Sequence, residues 1–158
     1  MAQEKDERVA AVGSDHTGYR LKDRLVGELA RMGFEVLDRG TGSEESCDYP
    51  DFALAVAEAV AGGEAEMGVL VCGTGAGMAM AANKVPGIRA AACNEPYTAE
   101  FCRLHNDANI LTMGARIIDE EAAVRILKVF IQTGFEGGRH ARRLEKIRGI
   151  ERRYMKEY

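Results

Sequence analysis

Residues Gly68–Gly77 read GVLVCGTGAG, and the fold is decided there. Gly68–Cys72 is an unbroken apolar run, the pattern of a strand buried on both faces. It ends in a glycine-rich turn, and an alanine-rich helix follows to about Lys84. Strand, glycine turn and helix make the repeating unit of a parallel sheet. The alternation extends both ways. Upstream, Arg8–Val12 reads as a strand ending at Gly13, and Phe34–Leu37 as another. Between them Tyr19–Met32 reads as a helix, with Leu21, Leu25, Leu29 and Met32 on one face and Gly33 as its cap. Asp51–Ala61 reads as a helix closed by Gly62-Gly63. Downstream, Ile88–Cys93 and Ile110–Met113 read as strands, and Tyr97–Leu104 and Glu120–Gln132 as helices. A last helix starts near Arg139 and carries Leu144, Ile147, Ile150 and Tyr154 along one side. That side faces either its own domain or a partner subunit. The expectation is an α/β fold with five parallel strands covered by helices on both faces.

Composition narrows the function classes. The 158 residues suit one domain, at roughly 150 residues per domain. We expect a disordered tail over residues 1–6 and a single domain over 7–158. With 46% hydrophobic and 29% charged residues, the chain is an ordinary globular one, not a disordered one. No apolar run approaches the ~20 residues of a membrane helix, and the start, MAQEKDER, lacks the apolar core of a signal peptide. Cys47, Cys72, Cys93 and Cys102 are irregularly spaced, so reduced thiols and a cytoplasmic location are expected. A net charge of −4 argues against nucleic-acid binding. The charge is uneven: residues 139–158 carry eight Lys and Arg against three Glu, which points to an anion site or a partner surface.

Ligands of parallel sheets sit at the carboxyl ends of strands. Candidate loops are therefore 13–18, 39–50, 72–78, 93–97 and 105–109. Cys72-Gly73-Thr74-Gly75-Ala76-Gly77 is the strongest signal. It lacks the Gly-Lys-Ser/Thr of a Walker loop. Met78 replaces both the third glycine of a dinucleotide loop and the arginine of a cysteine-phosphatase loop. What remains is a thiol facing backbone N–H donors at a helix start, an environment that favours thiolate. Such a thiol can act as base or nucleophile; the plain alternative is a buried apolar cysteine, the preferred reading for Cys47, Cys93 and Cys102. Asp15-His16 can hold a phosphate or sugar hydroxyl, or Asp15 can merely cap a turn. His105 can move protons near neutral pH and Asn106 can donate to an oxyanion, or both can be polar caps of a helix end. Arg139 and Arg143, four apart, and Arg116 are candidate phosphate ligands; a solvated basic face is the alternative. No cluster has metal-ligand spacing. The set suits metal-free enolisation of a phosphorylated substrate.

Together these motifs resemble the ribose-5-phosphate isomerase B family. The residues that carry the resemblance are Gly13-Ser14-Asp15-His16, Asp48-Tyr49-Pro50, Cys72-Gly73-Thr74-Gly75, Ala81-Ala82-Asn83-Lys84, Gly87-Ile88-Arg89, His105-Asn106-Asp107-Ala108-Asn109 and Glu136-Gly137-Gly138-Arg139-His140. They span about Val9 to Ile150. The resemblance implies a three-layer, Rossmann-like sandwich and a homodimer or dimer of dimers with sites shared between subunits. The C-terminal helix is then expected at the dimer contact. It also implies interconversion of D-ribose 5-phosphate and D-ribulose 5-phosphate without a cofactor or metal. By the family pattern Cys72 is the base, Thr74 positions it, and His105 opens the sugar ring. Asn106 and the N–H groups of Gly73, Gly75, Ala76 and Gly77 meet the enediolate. Asp15 and Tyr49 contact the sugar; His16, Arg116, Arg139 and Arg143 contact the phosphate. One branch of the family carries a glutamate base at the position of Met78; this chain has the cysteine instead. Two rivals are a 6-phosphohexose isomerase and a non-catalytic sugar-phosphate sensor.

Overall fold

The computed structural model describes residues 7–155; the expected tail at 1–6 lies outside them. Five strands form one sheet: β1 (Arg8–Ser14), β2 (Phe34–Asp38), β3 (Met67–Cys72), β4 (Ala90–Ala92) and β5 (Ile110–Gly114). Every pairing is parallel, and the order is β2-β1-β3-β5-β4. Six α-helices accompany them: α1 (Tyr19–Arg31), α2 (Tyr49–Ala61), α3 (Ala76–Ala82), α4 (Pro96–Asn106), α5 (Glu120–Gln132) and α6 (Arg139–Tyr154). Among the described residues no helix is long and apolar enough to cross a membrane.

Strand alternation builds two cores. Val69 and Val71 of β3 pack toward Leu21, Leu25 and Leu29 of α1 and Leu127 and Phe130 of α5. Leu70 and Cys72, one step out of phase, pack toward Ala53, Val56 and Ala57 of α2 and Met78 and Ala82 of α3. All six β3 residues are buried, as the apolar run required. The face that carries the Cys72 side chain is thus set by pleat parity, and it is the α2–α3 face.

The reading of the elements holds, with shifts at their ends. β1 runs two residues past Val12, because Ser14 N–H donates to Gly40 O at 2.7 Å and Thr41 N–H to Ser14 O at 2.8 Å. α2 begins at Tyr49, two residues early, with Pro50 in its first turn. The β4 strand is only Ala90–Ala92; Ile88 belongs to a turn, its N–H bonded to Val85 O. The fourth helix reaches Asn106, so His105 and Asn106 are helical residues and not part of a loop. Lys22 of α1 lies among apolar neighbours, 2% exposed, because its ammonium reaches both carboxylate oxygens of Asp38 at 2.8 Å. That pair ties α1 to the end of β2, where loop 39–48 departs.

The β3–α3 turn closes through Gly75. Its φ is +85°, and a Cβ there would lie 3.0–3.2 Å from the Met113 backbone. We expect Gly75→Ala to destabilise the chain by about 1–2 kcal/mol or more, read by urea denaturation. A difference below about 0.5 kcal/mol contradicts this account of the turn.

Candidate active site

Three strand-end segments meet where β1 and β3 lie side by side. Here the chain order across the sheet reverses, the position at which doubly wound folds bind ligands. β1 delivers Asp15, His16 and Thr17, β3 delivers Cys72, Gly73 and Thr74, and the β5 end delivers Arg116. With Tyr49 and Gly77 they line an open cleft of about 420 Å³. Eight residues proposed from sequence therefore converge: Cys72, Thr74, Asp15, His16, Tyr49, Gly73, Gly77 and Arg116.

Cys72 is 5% exposed, yet it lines this cleft. The Gly75 N–H donates to its Sγ at 3.1 Å, so a fixed backbone dipole points at the sulfur. Thr112 Oγ1 donates to Gly75 O at 2.7 Å and pins that peptide from the other side. The expected row of free N–H donors is shorter than the sequence implied. Gly75 N–H serves the sulfur, and Ala76 N–H donates to Thr74 Oγ1 at 3.3 Å. Neither Gly75 nor Ala76 is among the lining residues. The α3 ladder starts with Ala79 N–H on Gly75 O, so the N–H groups of Gly77 and Met78 have no partner within the helix. Met78 itself is fully buried.

The other groups are held as firmly. Asp15 is 7% exposed; its Oδ1 accepts from Thr17 N–H at 2.9 Å, Thr17 Oγ1 at 2.6 Å and Gly18 N–H at 3.3 Å. The turn-capping alternative is thus realised, while Asp15 also lines the cleft. His16 Nδ1 accepts from Cys47 N–H at 3.2 Å, which leaves the proton of the neutral ring on Nε2. Gly77 lets the Tyr49 ring approach; a Cβ there would sit 2.8 Å from ring atoms. Arg116 crosses over Gly73, its Nη1 3.6 Å from where a Gly73 Cβ would be.

His105, Asn106, Arg139 and Arg143 do not line this cleft. Contrary to expectation, the segment 105–109 does not lie with the carboxyl-end loops. In the β3–β5 register Gly68 pairs with Ile110 and Cys72 with Gly114. The segment before Ile110 therefore enters the sheet at its amino edge. α4 runs back from the carboxyl edge and leaves His105 and Asn106 there. α5 does the same for the segment that begins α6. The five residues of β5, about 16 Å of strand, lie between the two edges. At the amino edge His105 stacks on His140 with centroids 4.1 Å apart, and Asn106 borders an apolar groove of about 350 Å³ with Ile147, Ile150 and Tyr154 of α6. Only Leu144 of the expected α6 stripe is buried; Ile147, Ile150 and Tyr154 are 41%, 61% and 70% exposed.

Sequence reasoning missed two residues. Thr17 lines the cleft. Asn94, just past β4, donates to Thr74 O at 3.0 Å and accepts from Gly114 N–H at 2.8 Å, bracing the β3 turn against β5. The strand-end rule pointed at its segment, but no motif marked the residue. No metal-ligand spacing was recognised in the sequence, yet folding brings His105 to the pair Glu136 and His140, four residues apart, with the three donor atoms within 4.8 Å of one another.

Known proteins share this architecture. The family profile described as Ribose/Galactose Isomerase matches residues 10–147. The Escherichia coli protein named ribose-5-phosphate isomerase B is 50% identical over 143 residues, covering 90% of this chain and 96% of that one. The solved ribose-5-phosphate isomerase B of Clostridium thermocellum superposes with a TM-score of 0.91 at 51% identity, over 92% of this chain and 99% of that chain. A Mycoplasma genitalium structure, titled ribose-5-phosphate isomerase B with bound ribulose-5-phosphate, gives a TM-score of 0.87 at 40% identity, over 91% and 96%. A profile match across most of the chain, and relatives half identical over nearly their full length, establish that this chain belongs to the ribose/galactose isomerase family.

Proposed function

We propose that the chain interconverts D-ribose 5-phosphate and D-ribulose 5-phosphate by proton transfer through a cis-enediolate. The observation that carries this reading is the Cys72 sulfur, held by a backbone N–H at the carboxyl end of β3 and bordering an open cleft that also holds Arg116. The names of the relatives support it.

In the open-chain sugar, the C2–H bond breaks as the Cys72 thiolate takes the proton. The electrons form the C1–C2 double bond of the enediolate, and negative charge gathers on the C1 oxygen. Donors fixed in place before the reaction stabilise that charge without reorganising. The N–H groups at the start of α3 are assigned that role with Asn106. The same sulfur returns the proton to C1, while the C2 hydroxyl proton passes to O1 and C2 becomes the carbonyl. Thr74 beside the sulfur keeps the turn in shape. Asp15 and Tyr49 orient the sugar hydroxyls. His16, with its proton on Nε2, and Arg116 hold the phosphate, whose binding supplies positioning energy far from the reacting carbons.

His105 as ring-opening group, Asn106, Arg139 and Arg143 complete the set only if they come from elsewhere. They lie at the amino edge of their own sheet, a strand length from Cys72. A second copy, docked through the exposed Ile147, Ile150 and Tyr154 of α6, supplies them in our reading. Burial of apolar side chains drives such pairing. The four cysteines are all free thiols, which suits a cytoplasmic enzyme.

Ribose 5-phosphate in deuterated water tests the base. The native chain incorporates deuterium at the exchanging carbon. Cys72→Ala should bind ribose 5-phosphate with kcat lowered about 10²–10⁴-fold. Undiminished turnover in that variant removes Cys72 from the mechanism. For the phosphate site, Arg116→Ala should raise KM for ribose 5-phosphate about tenfold or more, the effect of losing one charged hydrogen bond; an unchanged KM contradicts the assignment. Run beside allose 6-phosphate and galactose 6-phosphate, the native chain should show its highest kcat/KM with the five-carbon substrate.

A further inference from the structure

We propose that His105, Glu136 and His140 form a divalent transition-metal site, suited to zinc, that withdraws His105 from catalysis when filled. The catalytic consequence rests on the reading that His105 opens the sugar ring; the binding itself does not.

Two helices and the loop between α5 and α6 bring three candidate ligands side by side. His105 Nε2 lies 3.8 Å from Glu136 Oε2, and His140 Nε2 lies 3.9 Å from the same oxygen. All three donor atoms fall within 4.8 Å of one another. The frame is fixed by backbone, since Glu136 N–H donates to Leu104 O at 3.0 Å. His140 supplies an independent sign. Its side chain is 5% exposed, and its Nε2 has no hydrogen-bond partner. A buried nitrogen left without a partner is costly, and this one faces the carboxylate at a distance too long for a hydrogen bond.

Two imidazoles and one carboxylate suit zinc, and they leave a fourth position for water. Zinc bonds of about 2.0–2.1 Å set tetrahedral donors about 3.3 Å apart, so each His–Glu pair must contract by about 0.5 Å. The rings must also tilt out of their stack, which is a soft motion because the terminal torsion of histidine is broad. An ion can enter, because His105 and Glu136 are 35% and 54% exposed. Arg139 and Arg143 oppose a dication, and Glu136 is the one carboxylate in the set. That balance describes a site filled when metal levels rise, rather than a resident structural ion. Occupation ties up His105 Nε2 and so blocks proton transfer to the sugar.

Zinc titration by calorimetry tests this in a chain carrying Cys47→Ser and Cys72→Ser, which removes the half-buried thiol and the cleft thiol as competitors. One zinc per chain should bind. Adding Glu136→Gln, or separately His140→Asn, should weaken binding tenfold or more. Because His140 is buried and its variant can misfold, the exposed Glu136 decides alone where needed. In the chain with native cysteines, Glu136→Gln should need tenfold or more zinc for half-inhibition, each variant referred to its own zinc-free rate. Loss of binding with the cysteines, or binding indifferent to Glu136→Gln, overturns the site. Zinc bound at these residues with undiminished isomerase activity overturns the inhibitory role.

Discussion

The sheet is entirely parallel, and from this one constraint the placement of the chemistry follows. All strands point their carboxyl ends at the same edge, so Ser14, Cys72 and Gly114 arrive together. The turns that leave them carry Asp15, Gly73 and Arg116 into one cleft. The helices that follow must run back, and they carry His105 and Arg139 to the other edge. No local rearrangement of side chains crosses the length of β5. The same sheet that assembles the cleft keeps His105 and Arg139 of the same chain out of it.

Within the cleft, rigidity comes from backbone contacts more than from side-chain pairs. Gly75 turns the chain so that its own N–H meets the Cys72 sulfur, while Thr112 holds its carbonyl. Asn94 joins the same turn to Gly114 on the neighbouring strand. Loop 39–48 departs from the Lys22–Asp38 pair, and its Cys47 N–H orients His16. These contacts fix the Cys72 turn and the His16 ring in place without drawing on any ligand.

Much of the fold was legible in the sequence, because parallel strands and glycine turns leave strong local marks. The run Gly68–Cys72 announced a strand buried on both faces, and the spacing of Leu21, Leu25 and Leu29 announced α1. Lys22 could not be placed from the apolar wheel, since its burial depends on Asp38, sixteen positions away. The strand order was hidden as well: β5 inserts between β3 and β4, a long-range choice with no local signature. At the site, the strand-end loops were marked by motifs at Asp15, Cys72 and Arg116, while Thr17 and Asn94, which also follow strands, carried none. His105 and Asn106 were assigned to the wrong edge because their segment precedes a strand, and motif order alone does not tell the two ends apart. Glu136 and His140 stand four apart in the sequence, but bringing His105 to them required the packing of α4 against α6, which no spacing reveals.

The opposed edges carry a direct consequence for assembly. Under the proposed reading, a chain lacking the thiol and a chain lacking the imidazole are each expected to be inactive, with defects at opposite edges of the sheet. Mixing Cys72→Ala with His105→Asn after unfolding and refolding together measures this. If each site draws its halves from two copies, activity returns to about a quarter of the native value, because half the dimers are mixed and each mixed dimer holds one intact site. A mixture as inactive as its separate components contradicts a site shared between copies.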